Sequence, residues 1–481
     1  MKTAELSPAL NKVPGELHHI HLMGICGTGM ASLAGILKEK GFKVTGSDRN
    51  IYPPMSTLLD SLSITLLQGY SPDHLHPKPD LVIVGNVITR DNSQAVELSN
   101  LSLPYLSFPQ AIRHFALNGK YPIVITGTHG KTTTSSLIAW ILEKAGRSPG
   151  FMIGGIPLNF GVNFKTGNGS LFVIEGDEYD TAFFDKGPKF LHYIPKAAII
   201  TSIEFDHADI YRDLDHVIES FRRLIDLMSD NEILIANGDS TLVKKEAERA
   251  DCKVALYGLS EDLPWRASDI RLNEGITSLT IERAGKDHLK LSTRLYGLHN
   301  ISNLLSAVVM ADFLGVPKQI IKDALWDFKG VKRRQEIVGE EQGVTVLDDF
   351  AHHPTAVKKT ITAVKERYEK RRLFAVFEPR SNSSRRNVFQ RQYSLSFDNA
   401  DFVMIPEPPL MNKIPEHERF SSQNLVDDLV GRGVKAFYFS NTDQLLSEMI
   451  KKAEKGDVFL IMSNGGFDNL PVRFLDELKN V

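Results

Sequence analysis

The chain has 481 residues, of which 42% are hydrophobic and 24% charged, an ordinary globular composition that excludes a disordered or collagen-like chain. At about 100–200 residues per domain, this length predicts about three domains, each long enough to bury its own core. The net charge of −3 argues against a nucleic-acid binder that relies on bulk positive charge.

Cysteine usage and hydropathy indicate the compartment. Cys26 and Cys252 are the only cysteines, and they form neither a metal-binding spacing nor a disulfide framework, which fits a reducing environment. Residues 1–20 lack the apolar core of a secretory signal, and no stretch approaches the roughly 18 apolar residues of a membrane span. We therefore expect a cytoplasmic protein with no membrane or nucleic-acid partner.

The first third of the chain alternates short apolar strands with helices. A helix to about Lys40 follows the first strand, and strands separated by helices predict a parallel sheet. We expect a Rossmann-like N-terminal domain over residues 1–118. Its predicted strands cover 20–23, 43–46 and 81–85.

The middle third continues this pattern and then breaks it. Alternating apolar positions over 269–296 predict antiparallel strands, and a helix over 300–315 ends at Gly315 and Pro317. We expect a central domain over residues 119–329, a P-loop ATPase with a parallel sheet and a small antiparallel sheet. Its predicted parallel strands cover 121–126, 171–174, 197–201 and 232–236, and its first helix runs through Leu142 to a stop near Gly146.

The last third repeats the architecture of the first. Strands again alternate with helical stretches, which predicts a Rossmann-like C-terminal domain over residues 330–481 and an α/β class for the whole chain. Its predicted strands cover 344–349, 373–377, 401–405, 436–439 and 457–462.

The sequence TGTHGKTTT (126–134) lies between a buried strand and a helix, the context of a phosphate-binding loop. Gly127 and Gly130 let backbone N–H groups wrap an anion, Lys131 supplies a charge for the β- and γ-phosphates, and Thr132 offers a hydroxyl to Mg²⁺. The glycine spacing GxxGK is shorter than the Walker spacing. The alternative is a glycine-rich turn with a solvated lysine, but the context favours ATP binding.

A second glycine turn, GICGTGM, follows the first strand, and Asp48 ends the second strand, where a dinucleotide fold keeps its ribose-binding acid. The strict GxGxxG pattern is not met. A nucleotide diphosphate ligand is favoured, while a dehydrogenase and a purely structural tight turn stay open as alternatives.

Acidic and histidine side chains follow two further strands. Glu175 begins EGDEYD (175–180), and His207 lies in EFDHADIY (204–211). At the ligand-binding edge of an open α/β sheet, these side chains and Thr132 could hold Mg²⁺. A solvated acidic loop and a hydrogen-bonded histidine are the alternative.

Taken together, these motifs resemble the Mur ligase family of ATP-dependent amide-forming enzymes. The short loop GTHGKTTT is that family's own form, and the family's motifs appear in family order along essentially the whole chain. The motifs are GICGTGM, GTHGKTTT, EGDEYD, EFDHADIY, GLHNISN (297–303), KRRQE (332–336) and DDFAHHPT (348–355).

The resemblance implies an ATP-dependent carbon–nitrogen ligase acting in peptidoglycan recycling. The sequence segments DEYDTAFFDKGPKFLHY (177–193) and EPRSNS (378–383) resemble those of the family members that join L-Ala-γ-D-Glu-meso-diaminopimelate to UDP-N-acetylmuramate through an acyl phosphate. The close alternative is a member that adds L-alanine to UDP-N-acetylmuramate. A nucleotide-dependent dehydrogenase and a P-loop switch are more distant alternatives, and a monomer or weak homodimer is expected.

The family motifs also imply roles for individual residues, with ATP and Mg²⁺ as cofactors. The implied catalytic residues are Lys131, Glu175, His207 and Arg334, and the implied metal ligands are Thr132, Glu175 and His207. The implied ATP contacts are Gly127, Thr128, His129, Gly130, Lys131, Thr132, Thr133, Asn300, Asn303, Arg334, Asp349 and His352. The implied UDP-sugar contacts are Gly27, Thr28, Gly29, Met30 and Asp48, and the peptide contacts are Arg380, Asn382, Ser463 and Asn464.

One family feature is missing. Many members carry a carbamylated lysine about fourteen residues after the DH motif, but residues 208–221 contain no lysine. We therefore expect no carbamate ligand for a second metal.

Overall fold

The computed structural model describes residues 2–53 and 55–480. Three sheets of five, ten and six strands follow one another along the chain, which confirms the predicted three-domain α/β class. Within the described part of the chain, no helix has the length and apolar character needed to cross a membrane.

The N-terminal domain contains a fully parallel sheet of order β3-β2-β1-β4-β5. The three predicted strands are present, and two short additional strands extend the sheet at its edges. The strands are β1 His19–Met23, β2 Lys43–Asp48, β3 Thr65–Gln68, β4 Leu81–Val84 and β5 Tyr105–Ser107. The helices are α1 Thr28–Glu39, α2 Met55–Ser61, α3 Ser93–Asn100 and α4 Phe108–Ile112.

The central sheet has the order β15-β14-β13-β12-β11-β10-β6-β9-β7-β8. The predicted antiparallel strands are present, but they extend the parallel sheet, because β13 pairs in parallel with β12 and antiparallel with β14. The strands are β6 Tyr121–Thr126, β7 Gly150–Met152, β8 Phe164–Lys165, β9 Leu171–Gly176, β10 Ala197–Ile200, β11 Ile233–Asn237, β12 Lys253–Gly258, β13 Trp265–Asn273, β14 Ile276–Arg283 and β15 Lys286–Thr293. The helices are α5 Lys131–Lys144, α6 Leu214–Ile225, α7 Thr241–Ala247, α8 Leu298–Phe313 and α9 Lys318–Asp327.

The C-terminal sheet has the order β16-β17-β21-β18-β19-β20, and only the edge strand β16 is antiparallel to its neighbour. The strands are β16 Glu336–Glu341, β17 Val344–Asp349, β18 Leu373–Phe377, β19 Phe402–Pro406, β20 Ala436–Phe439 and β21 Val458–Met462. The helices are α10 Pro354–Arg367, α11 Gln390–Ser394, α12 Ser422–Gly431, α13 Thr442–Lys452 and α14 Leu470–Leu478.

The first two domains share one apolar core. Residues of β1 and α1 form a single buried cluster with Met152, Phe164 and Phe172 of the central domain. The approach is close at Gly35 of α1, where a Cβ atom would lie 2.0 Å from the ring of Phe164. This packing fixes the glycine turn after β1 relative to the phosphate loop after β6.

Candidate active site between the central and C-terminal domains

The phosphate loop connects β6 to α5 and has an unusual backbone. Gly127 and Gly130 have φ values of +124° and +84°, a region that favours glycine. A Cβ atom would lie 2.2 Å from the hydroxyl oxygen of Thr201 at Gly127, and 2.3 Å from Oδ1 of Asn303 at Gly130. Both the conformation and the neighbouring side chains therefore require glycine.

The neighbouring strand loop supports the phosphate loop. The backbone N–H of Thr128 donates to the Ser202 carbonyl at 3.1 Å, and that of His129 donates to the Ser202 hydroxyl at 3.0 Å. These two hydrogen bonds attach the phosphate loop to the segment that follows β10. The first amides of α5, at Lys131, Thr132 and Thr133, have no partner within the helix and are available to an anion.

Lys131 lies partly buried at the mouth of the loop, with its side chain 15% exposed. Its Nζ donates to the Gly127 carbonyl at 2.6 Å and to Oε2 of Glu178 at 2.9 Å. Burial lowers the pKa of Lys131, but the carboxylates of Glu178 and Asp177 raise it by more, so its pKa lies above the usual value. The ammonium is therefore charged and held in position.

Thr132, Glu175 and Arg334 meet beside this lysine. Glu175 ends β9 with Gly176 and accepts the Gly154 N–H at 2.7 Å. Burial raises the pKa of Glu175, opposed by Gly154, Lys131 and Arg334. Arg334 reaches from the C-terminal domain and donates to the Thr132 hydroxyl at 3.3 Å.

His207 lies on the other side of Lys131, against Glu178. Its Nε2 is 3.6 Å from Oε1 of Glu178, and its backbone N–H donates to Asp206 at 2.7 Å. Burial lowers the pKa of His207, but Glu178 and Asp206 raise it by more, to about 9. Among the described residues, no hydrogen bond or ion pair joins His207 to Thr132 or Glu175.

Glu178 is the site residue that the sequence analysis missed. Its side chain is only 4% exposed and contacts both Lys131 and His207. Its position in EGDEYD, directly after β9, was the available signal, because acids that follow a parallel strand collect at the ligand-binding edge.

Asn300 and Asn303 lie in the first turns of α8, whose N-cap is Gly297. Asn300 therefore does not cap the helix. Its Nδ2 donates to the Tyr296 carbonyl at 3.0 Å and to Oε1 of Gln335 at 2.9 Å, and Asn303 lies beside Gly130. The Asn303 amide thus borders the phosphate loop, whereas the Asn300 amide faces Tyr296 and Gln335.

Asp349 supports the loop that carries Arg334. Its two carboxylate oxygens accept the N–H groups of Gln335 at 2.8 Å and Ala351 at 2.7 Å. Arg333 and Gln335, the neighbours of Arg334, both have positive φ values of +58° and +51°, which cost about 1–3 kcal/mol each. The surrounding hydrogen bonds hold this strained backbone in place.

His352 and His129 lie in the same cleft. The Nε2 of His352 is 3.9 Å from Asp206, and burial lowers the pKa of His352. The Nε2 of His129 is 3.6 Å from Glu204. The cleft therefore contains several imidazoles and carboxylates from two domains.

The glycine turn of the N-terminal domain leads into α1, with Gly27 as N-cap and Thr28, Gly29 and Met30 in the first turn. At Gly29, a Cβ atom would lie 3.0 Å from the Phe108 ring. Asp48 accepts the N–H groups of Cys26 and Asn50, both at 3.0 Å. The Asp48 carboxylate therefore stabilises the backbone of the glycine turn through its hydrogen bond to Cys26.

The predicted peptide contacts separate into two places. Arg380 donates to Glu378 at 3.2 Å, and the Ser463 hydroxyl donates to the same carboxylate. Asn464, next in the chain, has a buried Oδ1 without a hydrogen-bond partner in the described structure. Asn382 instead donates to Asp209 of the central domain at 2.9 Å.

Family models match each third of the chain. The Mur ligase family catalytic domain matches residues 19–120, the Mur ligase middle domain 125–311, and the glutamate ligase domain of Mur ligases 333–465. The chain belongs to the Mur ligase family. The predicted family and class of enzyme, ATP-dependent amide ligases, are thereby confirmed.

Individual Mur ligases resemble this chain over its whole length. The UDP-N-acetylmuramate–L-alanyl-γ-D-glutamyl-meso-2,6-diaminoheptandioate ligase of Escherichia coli is 39% identical over 95% of this chain and 98% of its own. The UDP-N-acetylmuramate–L-alanine ligase of a Sulfurihydrogenibium species is 31% identical over 95% and 97%. The crystal structure of a murein peptide ligase from Psychrobacter arcticus has 34% identity and a TM-score of 0.73, covering 96% of this chain and 99% of its own.

Proposed function

We propose that this Mur ligase joins the tripeptide L-Ala-γ-D-Glu-meso-diaminopimelate to UDP-N-acetylmuramate. ATP phosphorylates the lactyl carboxylate to an acyl phosphate, the peptide amine attacks, and phosphate leaves. The supporting observation is the 39% full-length identity to the E. coli tripeptide ligase, against 31% to an L-alanine ligase. The reaction serves the recycling of peptidoglycan.

The phosphate loop fits the triphosphate of ATP. Gly127 and Gly130 adopt the positive φ values that shape the loop, and the N-terminus of α5 favours negative charge. Lys131 adds a partly buried ammonium whose pKa lies above the usual value because of Glu178 and Asp177. Asn303 lies beside Gly130 of the loop, and the amides of Asn303 and Asn300, one turn apart on α8, would contact adenine as the family motif implies.

Oxygen ligands for Mg²⁺ lie beside this loop. The Thr132 hydroxyl and the Glu175 carboxylate are adjacent and match the preference of magnesium for oxygen, and we propose that they hold it. The Glu178 carboxylate adds negative charge beside Lys131, and His207 contacts Glu178 rather than this oxygen pair. Bound Mg²⁺ would neutralise phosphate charge during transfer.

Two cations of the chain act from opposite domains. Lys131 and Arg334 approach the loop from the central and C-terminal domains and stabilise the charge on the transferring γ-phosphoryl group. Asn382 donates to Asp209 at 2.9 Å and the Ser383 hydroxyl donates to Asp206 at 2.7 Å, so the two domains are closed over this loop. Closure therefore couples assembly of the site to the exclusion of water.

The two other substrates approach from the outer domains. We propose that the α1 N-terminus, with Gly27, Thr28, Gly29 and Met30, binds the diphosphate of UDP-N-acetylmuramate, with Asp48 bracing the turn. Arg380 suits a bidentate contact with a peptide carboxylate, and Ser463, Asn464 and Asn382 lie on the same domain. The proposed domain limits stay at residues 118 and 330. A cytoplasmic location fits the two unpaired cysteines.

The test measures phosphate release by the purified chain with ATP, Mg²⁺, UDP-N-acetylmuramate and either tripeptide or L-alanine. Release that requires both UDP-N-acetylmuramate and tripeptide supports the proposal. Release with L-alanine alone as amine would establish the alanine-adding activity instead. Nucleotide hydrolysis that ignores both acceptor and amine would indicate a switch protein.

A further inference from the structure

Three side chains form a cluster beside the phosphate loop that the proposed reaction does not use as a unit. His129 lies in the loop, Glu204 follows β10, and His353 is the N-cap of α10 in the C-terminal domain. One ligand atom from each lies within 4.8 Å of the others. The cluster therefore spans two domains.

We propose that His129, Glu204 and His353 bind a divalent transition metal, with Zn²⁺ as the best match, and leave one coordination position open. Tetrahedral zinc with ligands at 2.0–2.1 Å places its ligand atoms roughly 3.3 Å apart. Here Oε2 of Glu204 lies 3.6 Å from Nε2 of His129 and 3.8 Å from Nδ1 of His353. The third separation, between ring nitrogens of His129 and His353, is at most 4.8 Å, so the ligand atoms must approach one another by between about 0.3 and 1.5 Å to reach this geometry.

The surroundings of His353 are those of a metal ligand. Its Nε2 lies 3.1 Å from the Phe205 carbonyl, which accepts the ring N–H and leaves the lone pair on Nδ1, facing Glu204. Metal-binding histidines almost always donate their other N–H in this way. The Thr355 N–H approaches Nδ1 at 3.3 Å, a long hydrogen bond that metal binding would replace.

The other two ligands are also prepared. The Thr355 hydroxyl donates to Oε2 of Glu204 at 2.6 Å and orients the carboxylate. Nε2 of His129 is buried, and the described structure offers it no hydrogen-bond partner. A buried nitrogen without a hydrogen-bond partner is unfavourable, and coordination would satisfy it.

This cluster differs in chemistry from the proposed magnesium site. Two imidazoles and one carboxylate select zinc-like ions over magnesium, and none of the three belongs to the set Thr132, Glu175 and His207. A metal here would tie the phosphate loop, through His129, to the C-terminal domain, through His353. The ion thereby holds the two domains in the closed arrangement.

The test titrates the metal-free full-length chain with Co²⁺ alone and records its visible absorption. We expect one equivalent with the intense bands of four-coordinate cobalt, which Zn²⁺ then displaces. His353→Gln should abolish these bands and weaken zinc binding at least about 100-fold, because losing only an outer-shell partner already costs 10–100-fold.

Two further variants keep the interpretation clear. His207→Gln changes a histidine of the neighbouring acidic loop and should retain the bands. His129→Gln, at a more exposed position, repeats the test if His353→Gln does not fold by circular dichroism. Absence of the bands in the unaltered chain, or their loss in His207→Gln with retention in the cluster variants, would overturn the proposal.

Discussion

Glu178→Gln should strongly destabilise the central domain. The change removes the carboxylate that pairs with Lys131 at 2.9 Å, in a place where the two side chains are 4% and 15% exposed. Losing one partner of a buried pair costs about 3–5 kcal/mol, because it leaves the other charge uncompensated. Asp177 also raises the pKa of Lys131 and remains, so we expect the lower end of this range.

The size of the effect can be measured by calorimetry. A loss of about 3 kcal/mol lowers the melting temperature of a domain of 150–250 residues by roughly 6–12 °C. The matched control is Asp327→Asn, which breaks the Lys144–Asp327 pair of 2.8 Å between side chains that are 35% and 45% exposed. An exposed pair contributes about 0–1 kcal/mol, so this control should melt almost as the unaltered chain does.

The comparison between these two variants shows whether the Lys131–Glu178 pair stabilises the central domain. If Glu178→Gln and Asp327→Asn melt within a degree or two of each other, the buried pair does not stabilise the domain as argued. ATP binding, measured by titration calorimetry on the folded variants, should also weaken in Glu178→Gln alone. An unchanged affinity there would show that Glu178 does not position Lys131 for the nucleotide.

Three further changes test other parts of the molecule. Lys131→Ala should lower kcat/KM for ligation at least about 100-fold with unchanged circular dichroism, and substantial activity would contradict its role. Gly35→Ala should lower the free energy of unfolding in denaturant by about 1–3 kcal/mol through overpacking, because its Cβ atom would lie 2.0 Å from the ring of Phe164. The control Gly15→Ala should be neutral, because a Cβ atom there would have nothing within 4 Å. Equal effects of the two changes would refute the packing argument. Burial lowers the pKa of His21 to about 3, so between about pH 6.5 and 3 the unfolded chain binds more protons than the folded one, and the free energy of unfolding falls as the pH falls. His21→Gln should flatten this pH dependence in denaturant titrations. An unchanged pH dependence would refute the assignment of the effect to His21.

Strands made mainly of apolar residues were predictable. The predicted bounds 121–126, 344–349, 373–377 and 436–439 match β6, β17, β18 and the edge strand β20. The edge strands β3 and β16 were missed, as were β7 and β12 inside the central sheet. The sequence of β3 is TLLQ and that of β16 is EIVGEE, and their pairing depends on neighbours rather than on their own hydrophobicity.

The site was predictable where a strand end positions the side chain. Lys131, Thr132 and Glu175 follow or end parallel strands, and the structure brings them together. The contact between Glu178 and His207 depends on how two loops fold over each other, which no local pattern encodes. The hydrogen bonds of Asp48 and Asp349 to backbone amides likewise become visible only once the turns around them are formed.

The core shared by α1 and the central domain bears on how the chain folds during synthesis. The N-terminal domain leaves the ribosome first, but the face of α1 at Gly35 packs directly against the ring of Phe164 in the central domain. The nascent N-terminal domain therefore carries an open apolar face until the ribosome has made residues beyond 164. An excised fragment ending near residue 118 would keep that face exposed, so the first two domains fold as an interdependent pair.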